Sequence, residues 1–403
     1  MSAQQAKRER RDAKSSNKYG KPIVLKSKIL SAIADPRSSS SAIFVAESAG
    51  SVRHVKLGVR NPVNGGVLQY TRICPDLRLI FWQDEPDSRT VYRGPSAPVT
   101  SVAVGGPNQK TLFAGSWDKC IWSWDIDSQK PAKKYAGHTD FVKTIATATL
   151  GGTDILISGG ADKRIIVWDV STGKELHVLQ DSAINMLAVQ ALVIDPVQTT
   201  VDEVYLFSAS SDPHIRRWKI CLDSWKQVVD EVPQSSTERR TLLEHETSIY
   251  KLVFDQESDE VDLWTASGDG TAKCLARGSG FASDDVFEHG DHVKAIAVTS
   301  TWVITAGRDE DIKFWDRSTG KLYCSMQGHF DEVTDMVIVG DCLCSVGIDG
   351  TIRTWPLTKT LLDVAIKEQD TVMEDKVEDK TAQEGLLSTE EEAELAALME
   401  EDD

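Results

Sequence analysis

One pattern recurring at near-regular spacing constrains this chain more than any single motif. Residues 158–169 read SGGADKRIIVWD, 306–316 read AGRDEDIKFWD and 345–355 read SVGIDGTIRTW. In each copy small residues lead to an aspartate, and a tryptophan follows six positions later. The same skeleton runs through 114–125 (AGSWDKCIWSWD) and 208–218 (SASSDPHIRRW); at 265–275 (TASGDGTAKCL) Leu275 stands where the tryptophan is expected. The anchoring residues Asp118, Asp162, Asp212, Asp269, Asp309 and Asp349 are 44, 50, 57, 40 and 40 positions apart. Short apolar–polar alternations with Asp-containing turns between them predict a unit of short antiparallel strands. Such a unit cannot bury its apolar face alone, so the copies must stack on one another.

Upstream of several anchors lies a second element, Gly-His or Glu-His followed by an alternating strand. It reads GHTDFVKTIA at 137–146, EHGDHVKAIA at 288–297 and GHFDEVTDMV at 328–337. These residues resemble the WD-repeat family over roughly 22–357. The resemblance implies an all-β, seven-bladed β-propeller in which the histidine, a strand Ser or Thr, the turn aspartate and the tryptophan share a buried hydrogen-bond network. The complete sets here are His138–Ser158–Asp162–Trp168, His289–Thr305–Asp309–Trp315 and His329–Ser345–Asp349–Trp355. A Ser, His and Asp together also suggest a hydrolase triad. An enzyme needs one such site and a propeller needs one per blade, so the recurrence favours structure over catalysis.

The first blade is irregular. Residues 46–57 (AESAGSVRHVKL) align with the repeat, with Ala49 at the Asp position and Val55 at the Trp position. The distance from there to Asp118 is about 30 residues too long for one repeat of this type. Two readings account for it: an insertion at about 58–89 in blade 1, or a further blade centred on Asp76; seven blades result either way. Ile23 and its neighbours (22–25) are expected to complete the last blade beside 351–357, closing the ring without a free edge. Blade 4 lacks its Gly-His, having Leu179-Gln180 there, and a loop at about 222–240 separates blades 4 and 5. Trp225 within that loop is a candidate partner anchor.

Charge divides the chain into three parts. Residues 1–28 carry +7, residues 358–403 carry −12, and the body between them carries −12. We expect a basic arm (1–21), a propeller (22–357) and an acidic tail (358–403) with a short helix at 361–369 and a terminal one near Ser388 to Met399, opened by a capping box. The acidic body argues against broad contact with nucleic-acid phosphates, which leaves any such contact indirect or through the arm. The seven cysteines are scattered without metal-site spacing, so reduced thiols and no metal or cofactor are expected. No apolar run is long enough for a membrane helix, and the polar N-terminus does not read as a secretory signal.

In the family, the residue before each anchoring Asp and the residues before each inner strand lie around one mouth of the central channel. Here these are Trp117, Arg308 and Ile348, with Phe141, His292, Phe330 and Glu332. Aromatics and arginine are enriched at interface hot spots, so this rim reads as a docking surface for a protein or peptide. The leading expectation is a monomeric, non-catalytic scaffold subunit of a nuclear or nucleolar complex in ribosome assembly, chromatin or RNA processing. The nuclear part rests on the basic cluster at 7–14 (KRERRDAK). The alternatives are a substrate-recognition adaptor of a ubiquitin ligase, weakened by the absence of a Trp-Asp-x-Arg blade ending, and a cytosolic trafficking or signalling scaffold.

Overall fold

In the computed structural model, residues 17–37, 42–57, 90–181, 183–231 and 238–370 are described. The basic cluster at 7–14, the segment 58–89 expected as an insertion and the terminal helix expected near 388–399 lie outside them. The chain divides into two units, Met1–Trp355 and Pro356–Asp403. Among the described residues the second contains one helix at 359–370.

The first unit is a seven-bladed β-propeller. Blade 1 consists of Ile29–Ala34, Ala42–Glu47, Ser51–Lys56 and Thr90–Arg93, each antiparallel to the next. Blades 2, 3, 5 and 6 repeat the arrangement, beginning at Val99, Val142, Ile249 and Val293. Blade 4 starts at Val189 and blade 7 at Val333. The first strand of each blade neighbours that of the next, and the last returns to the first, so the seven inner strands enclose a channel. Blade 1 is complete without 58–89, because Thr90–Arg93 pairs with Ser51–His54. A separate blade centred on Asp76 is therefore not needed to reach seven.

Closure falls where the sequence places it. Ile23 pairs with Ile352 and Val24 with Thr351, so the N-terminal strand forms the outer edge of blade 7. The preceding residues extend this seal: Asn17 donates from Nδ2 to the Gly328 carbonyl at 3.0 Å, and buried Arg353 donates to Asn17 Oδ1 at 2.8 Å. The apolar core is distributed as layers between neighbouring blades. Trp168 lies between blades 2 and 3 with Phe113, Ile145 and Tyr135, and Trp218 between blades 3 and 4 with Ile157 and Leu206.

The 222–240 segment departs from the expected loop. Trp225–Gln227 pairs with Trp218–Ile220, and Thr241–Leu242 pairs with Ile215–Arg216, so two short strands share the outer edge of blade 4. Trp225 lies edge-on to Trp218 with centroids 5.8 Å apart. It covers an apolar ring of its own blade rather than projecting as an anchor. Burying indole against indole is worth more than leaving either wet.

Candidate functional site

The channel mouth is built by one contact repeated in every blade. The residue before the anchoring turn donates its N–H to the carbonyl of the residue that precedes the inner strand. The pairs are Ser48–Lys28, Trp117–Pro98, Ala161–Phe141, Ser211–Ala188, Gly268–Ser248, Arg308–His292 and Ile348–Glu332, at 2.8–3.1 Å. The close approach is demanding: a Cβ added at Gly307 would stand 1.9 Å from the His292 carbonyl oxygen. Side chains at these paired positions therefore ring one face.

Below the turns, buried networks hold that ring in place. Trp168 Nε1 donates to Ser158 Oγ at 2.8 Å, Ser158 Oγ lies 2.8 Å from His138 Nε2, and His138 Nδ1 lies 2.9 Å from the Asp162 carboxylate. Asp162 also accepts the Thr139 N–H at 2.9 Å, which pins the loop carrying Phe141. Trp315–Thr305–His289–Asp309 and Trp355–Ser345–His329–Asp349 make the same chain at 2.7–2.9 Å. Ser158, Thr305 and Ser345 are fully buried. A nucleophile must reach its substrate, and these hydroxyls have no exposed surface with which to do so.

The aspartates are held strongly ionised. Burial pushes the Asp309 carboxyl up, but hydrogen bonds from His289 and Lys313 outweigh it and bring the group down to about 2. Asp162, Asp269 and Asp349 are lowered in the same way, burial being opposed by the partner histidine and nearby N–H donors.

Three further networks escaped the sequence reading. In blade 5, His245 lies 2.8 Å from Asp269 and 2.7 Å from Thr265, so only the tryptophan has been lost, to Leu275. The signal was present as Glu244-His245, the same dipeptide as Glu288-His289. In blade 2, Trp122 Nε1 donates to Asp118 at 2.8 Å, doing from the adjoining strand what a histidine does elsewhere. In blade 4 fully buried Arg216 replaces the histidine, donating to Asp181 at 2.8 Å and to Asp212 at 3.0 Å. Asp181 lies two residues beyond the outer strand Glu175–Leu179, as His138 lies beyond Pro131–Ala136, so a change of residue type at that place hid the network from the repeat pattern.

On this frame the rim residues divide. Trp117 and Phe141 are 41% and 37% exposed, and Arg308 is also exposed. His292, Phe330, Glu332 and Ile348 are half-buried. Trp117 from blade 2 and Phe141 from the loop into blade 3 are brought together as a stack. Arg308, His292, Phe330, Glu332 and Ile348 lie on blades 6 and 7 and the loops entering them. The described residues contain no cluster of His, Cys, Asp and Glu able to hold a metal ion, and no helix among them is long and apolar enough to cross a membrane.

Comparison with known proteins places this geometry. The WD40 family (WD domain, G-beta repeat) matches residues 87–125, 129–169 and 284–316. An uncharacterized WD repeat-containing protein of Schizosaccharomyces pombe is 29% identical over 66% of this chain and 69% of its own length. The nuclear distribution protein nudF of Aspergillus niger is 29% identical over 70% of this chain, which spans only 55% of that relative. A small ribosomal subunit protein of rice, RACK1y, is 26% identical over 41% of this chain and 44% of its own. Among solved structures, the WD40 β-propeller domain of Doa1 superposes with a TM-score of 0.60 at 17% identity, covering 84% of this chain and 96% of that one, and shows the fold alone.

Proposed function

The chain is a WD-repeat protein built as a seven-bladed propeller, and from that premise we propose that it is a non-catalytic scaffold holding protein partners on the face that carries Trp117, Phe141 and Arg308. The observation that carries the reading is the Trp117–Phe141 stack, two large rings left in solvent while Trp124, Trp168, Trp218, Trp264, Trp302, Trp315 and Trp355 are buried. Exposed aromatics beside an arginine supply the chemistry most enriched at interface hot spots. His292, Phe330, Glu332 and Ile348 extend the same face across blades 6 and 7. In this reading residues 1–21 and 358–403 are an arm and a tail flanking a body at 22–357, and they add contacts of opposite charge.

The compartment is a finer matter. The nuclear or nucleolar assignment draws on the basic cluster at 7–14 alone, whereas a relative named as a ribosomal subunit protein favours a cytoplasmic, ribosome-associated scaffold. Affinity capture from cells followed by mass spectrometry tests the function. Wild-type protein should retain specific partners that the folded Trp117→Ala/Phe141→Ala/Arg308→Ala variant loses; unchanged capture by that variant would exclude this face. Tagged protein with and without residues 1–16 tests the compartment.

A further inference from the structure

The end of the propeller opposite the Asp turns carries a charge pattern that the repeat does not require. An acid follows the inner strand in blades 1, 4 and 5, at Asp35, Asp195 and Asp255. Two residues after the tryptophan site, blades 5 and 6 have Arg277 and Arg317, where the other blades have Leu57, Ile126, Val170, Ile220 and Leu357. Acid and arginine therefore match across two seams, blade 4 to 5 and blade 5 to 6. Across the first, Arg277 donates from both Nη atoms to the two Asp195 oxygens, at 2.9 Å each. Its guanidinium lies 5.2 Å and 5.1 Å from the ring centroids of Phe254 and Phe281. Across the second, Arg317 Nη2 lies 2.5 Å from Asp255 Oδ2, and its guanidinium lies over the Trp264 ring. Asp195 and Asp255 are both buried. Asp35, the third acid, is taken up within its own blade by Arg37 and His54.

The seams from blade 1 to blade 4 are fastened differently at this level. Tyr92 donates to the Ile126 carbonyl and Tyr135 to the Val170 carbonyl, both at 3.3 Å, and His177 donates to the Cys221 carbonyl at 2.9 Å. Any residue offers a carbonyl, and parting these groups strands no carboxylate. Arg37 and Asp127 do pair across the first of these seams, but the Asp127 side chain is 56% exposed, so water takes over its charge when the seam opens. Parting a buried clamp instead leaves a charge in a dry site without its partner, which is strongly unfavourable.

Blade 5 supplies one member of each clamp, Arg277 to the seam with blade 4 and Asp255 to the seam with blade 6. Opening blade 5 alone strands Asp195 on one side and Arg317 on the other. Opening blade 4 or blade 6 alone strands one charge on blade 5. Repeat arrays otherwise behave as sums of nearest-neighbour contacts, in which each unit can open with its own free energy. We propose that the two clamps make blades 4, 5 and 6 a single cooperative block within the ring, with Arg277 and Arg317 as the coupling residues, while blades 2 and 3 open on their own. The rim is thereby divided: Trp117 and Phe141 stand on blades that adjust independently, and Arg308 stands on the block.

Native-state hydrogen exchange of the full-length chain in low denaturant tests this. Amides of the inner strands Val189–Ile194, Ile249–Phe254 and Val293–Val298 should share one opening free energy and one denaturant slope, distinct from those of Val99–Gly105 and Val142–Leu150. Arg277→Lys keeps the charge and loses the two-pronged contact. It should speed exchange about tenfold in all three blades, blade 6 included, although the clamp it weakens joins only blades 4 and 5. Arg317→Lys should do the same, blade 4 included, and in both variants blades 2 and 3 should change by less than about twofold. Acceleration confined to the two blades beside the altered clamp would overturn the proposal, as would equal acceleration in all seven blades or none in either variant. The wild-type measurement stands without any variant: separate slopes for blades 4, 5 and 6 would refute the block on their own.

Discussion

Trp117 lies nearly flat on Phe141, with ring centroids 4.9 Å apart and planes 14° from parallel, although the two belong to different blades. The pair is a surface feature, and its energetics should show it. Trp117→Ala loses an offset stack and part of one exposed ring, about 0.5–1.5 kcal/mol. Trp168→Ala removes a fully buried indole that donates to Ser158 and should cost about 3–5 kcal/mol or more. Denaturant unfolding of both variants checks the contrast; equal losses would make Trp117 part of the core.

Blade 4 depends on charge where its neighbours use histidine. Arg216 and Asp181 are both fully buried as side chains, and removing the guanidinium would leave two carboxylates in a dry site. Arg216→Ala is expected to destabilise by about 3–5 kcal/mol. Arg216→Ala combined with Asp181→Asn should be milder than Arg216→Ala alone, since one stranded charge is gone. Chemical denaturation measures both, and a double variant worse than the single would show that the triad acts through packing rather than charge.

Acid should attack the histidine blades through their aspartates. A carboxyl whose folded pKa lies below its unfolded value contributes stability above the unfolded value and loses it as pH falls through the folded one. Asp309, brought from 3.8 to about 2, sets a window between about pH 4 and pH 2. Asp162, Asp269 and Asp349 shift in the same direction and add to the slope. Melting temperature should fall steeply across that window, and Asp309→Asn should flatten the fall while lowering stability at neutral pH. An unchanged slope in this variant would remove Asp309 from the account.

The residue after the anchoring position adopts left-handed backbone in six blades, at Gly50 after Ala49 and at Lys119, Lys163, Gly270, Glu310 and Gly350 after their aspartates. Glycine takes this conformation freely, whereas Lys163 at φ +66° carries a Cβ that opposes it. Lys163→Gly should therefore stabilise by up to about 1 kcal/mol, and Gly350→Lys should destabilise by at least as much. Thermal melts of the two variants give the sign directly, and a Lys163→Gly loss would show that the lysine side chain makes a compensating contact.

The fold was readable because its determinants are local. Strand alternation, the Asp turn and the Trp six residues later are all set within a dozen positions, and even closure by Ile23 and Val24 followed from spacing. The departures were of another kind. Arg216 works with Asp181 from the connection into blade 4, and Trp225 packs on Trp218 from a strand that the repeat does not display. Both depend on residues particular to blade 4 and not on the period. His245 was legible through Glu244-His245 but was hidden by the missing tryptophan at Leu275. The rim residues could be named from the repeat, but their division into exposed Trp117, Phe141 and Arg308 and half-buried His292, Phe330, Glu332 and Ile348 depends on how adjoining loops cover them.

The central claim is that partners dock on this one face, and hydrogen exchange of the propeller with and without its captured partner tests it most directly. Protection should appear in the loops carrying Trp117, Phe141 and Arg308. Protection confined to the opposite face, at the turns near Gly151 and Val201, would contradict it.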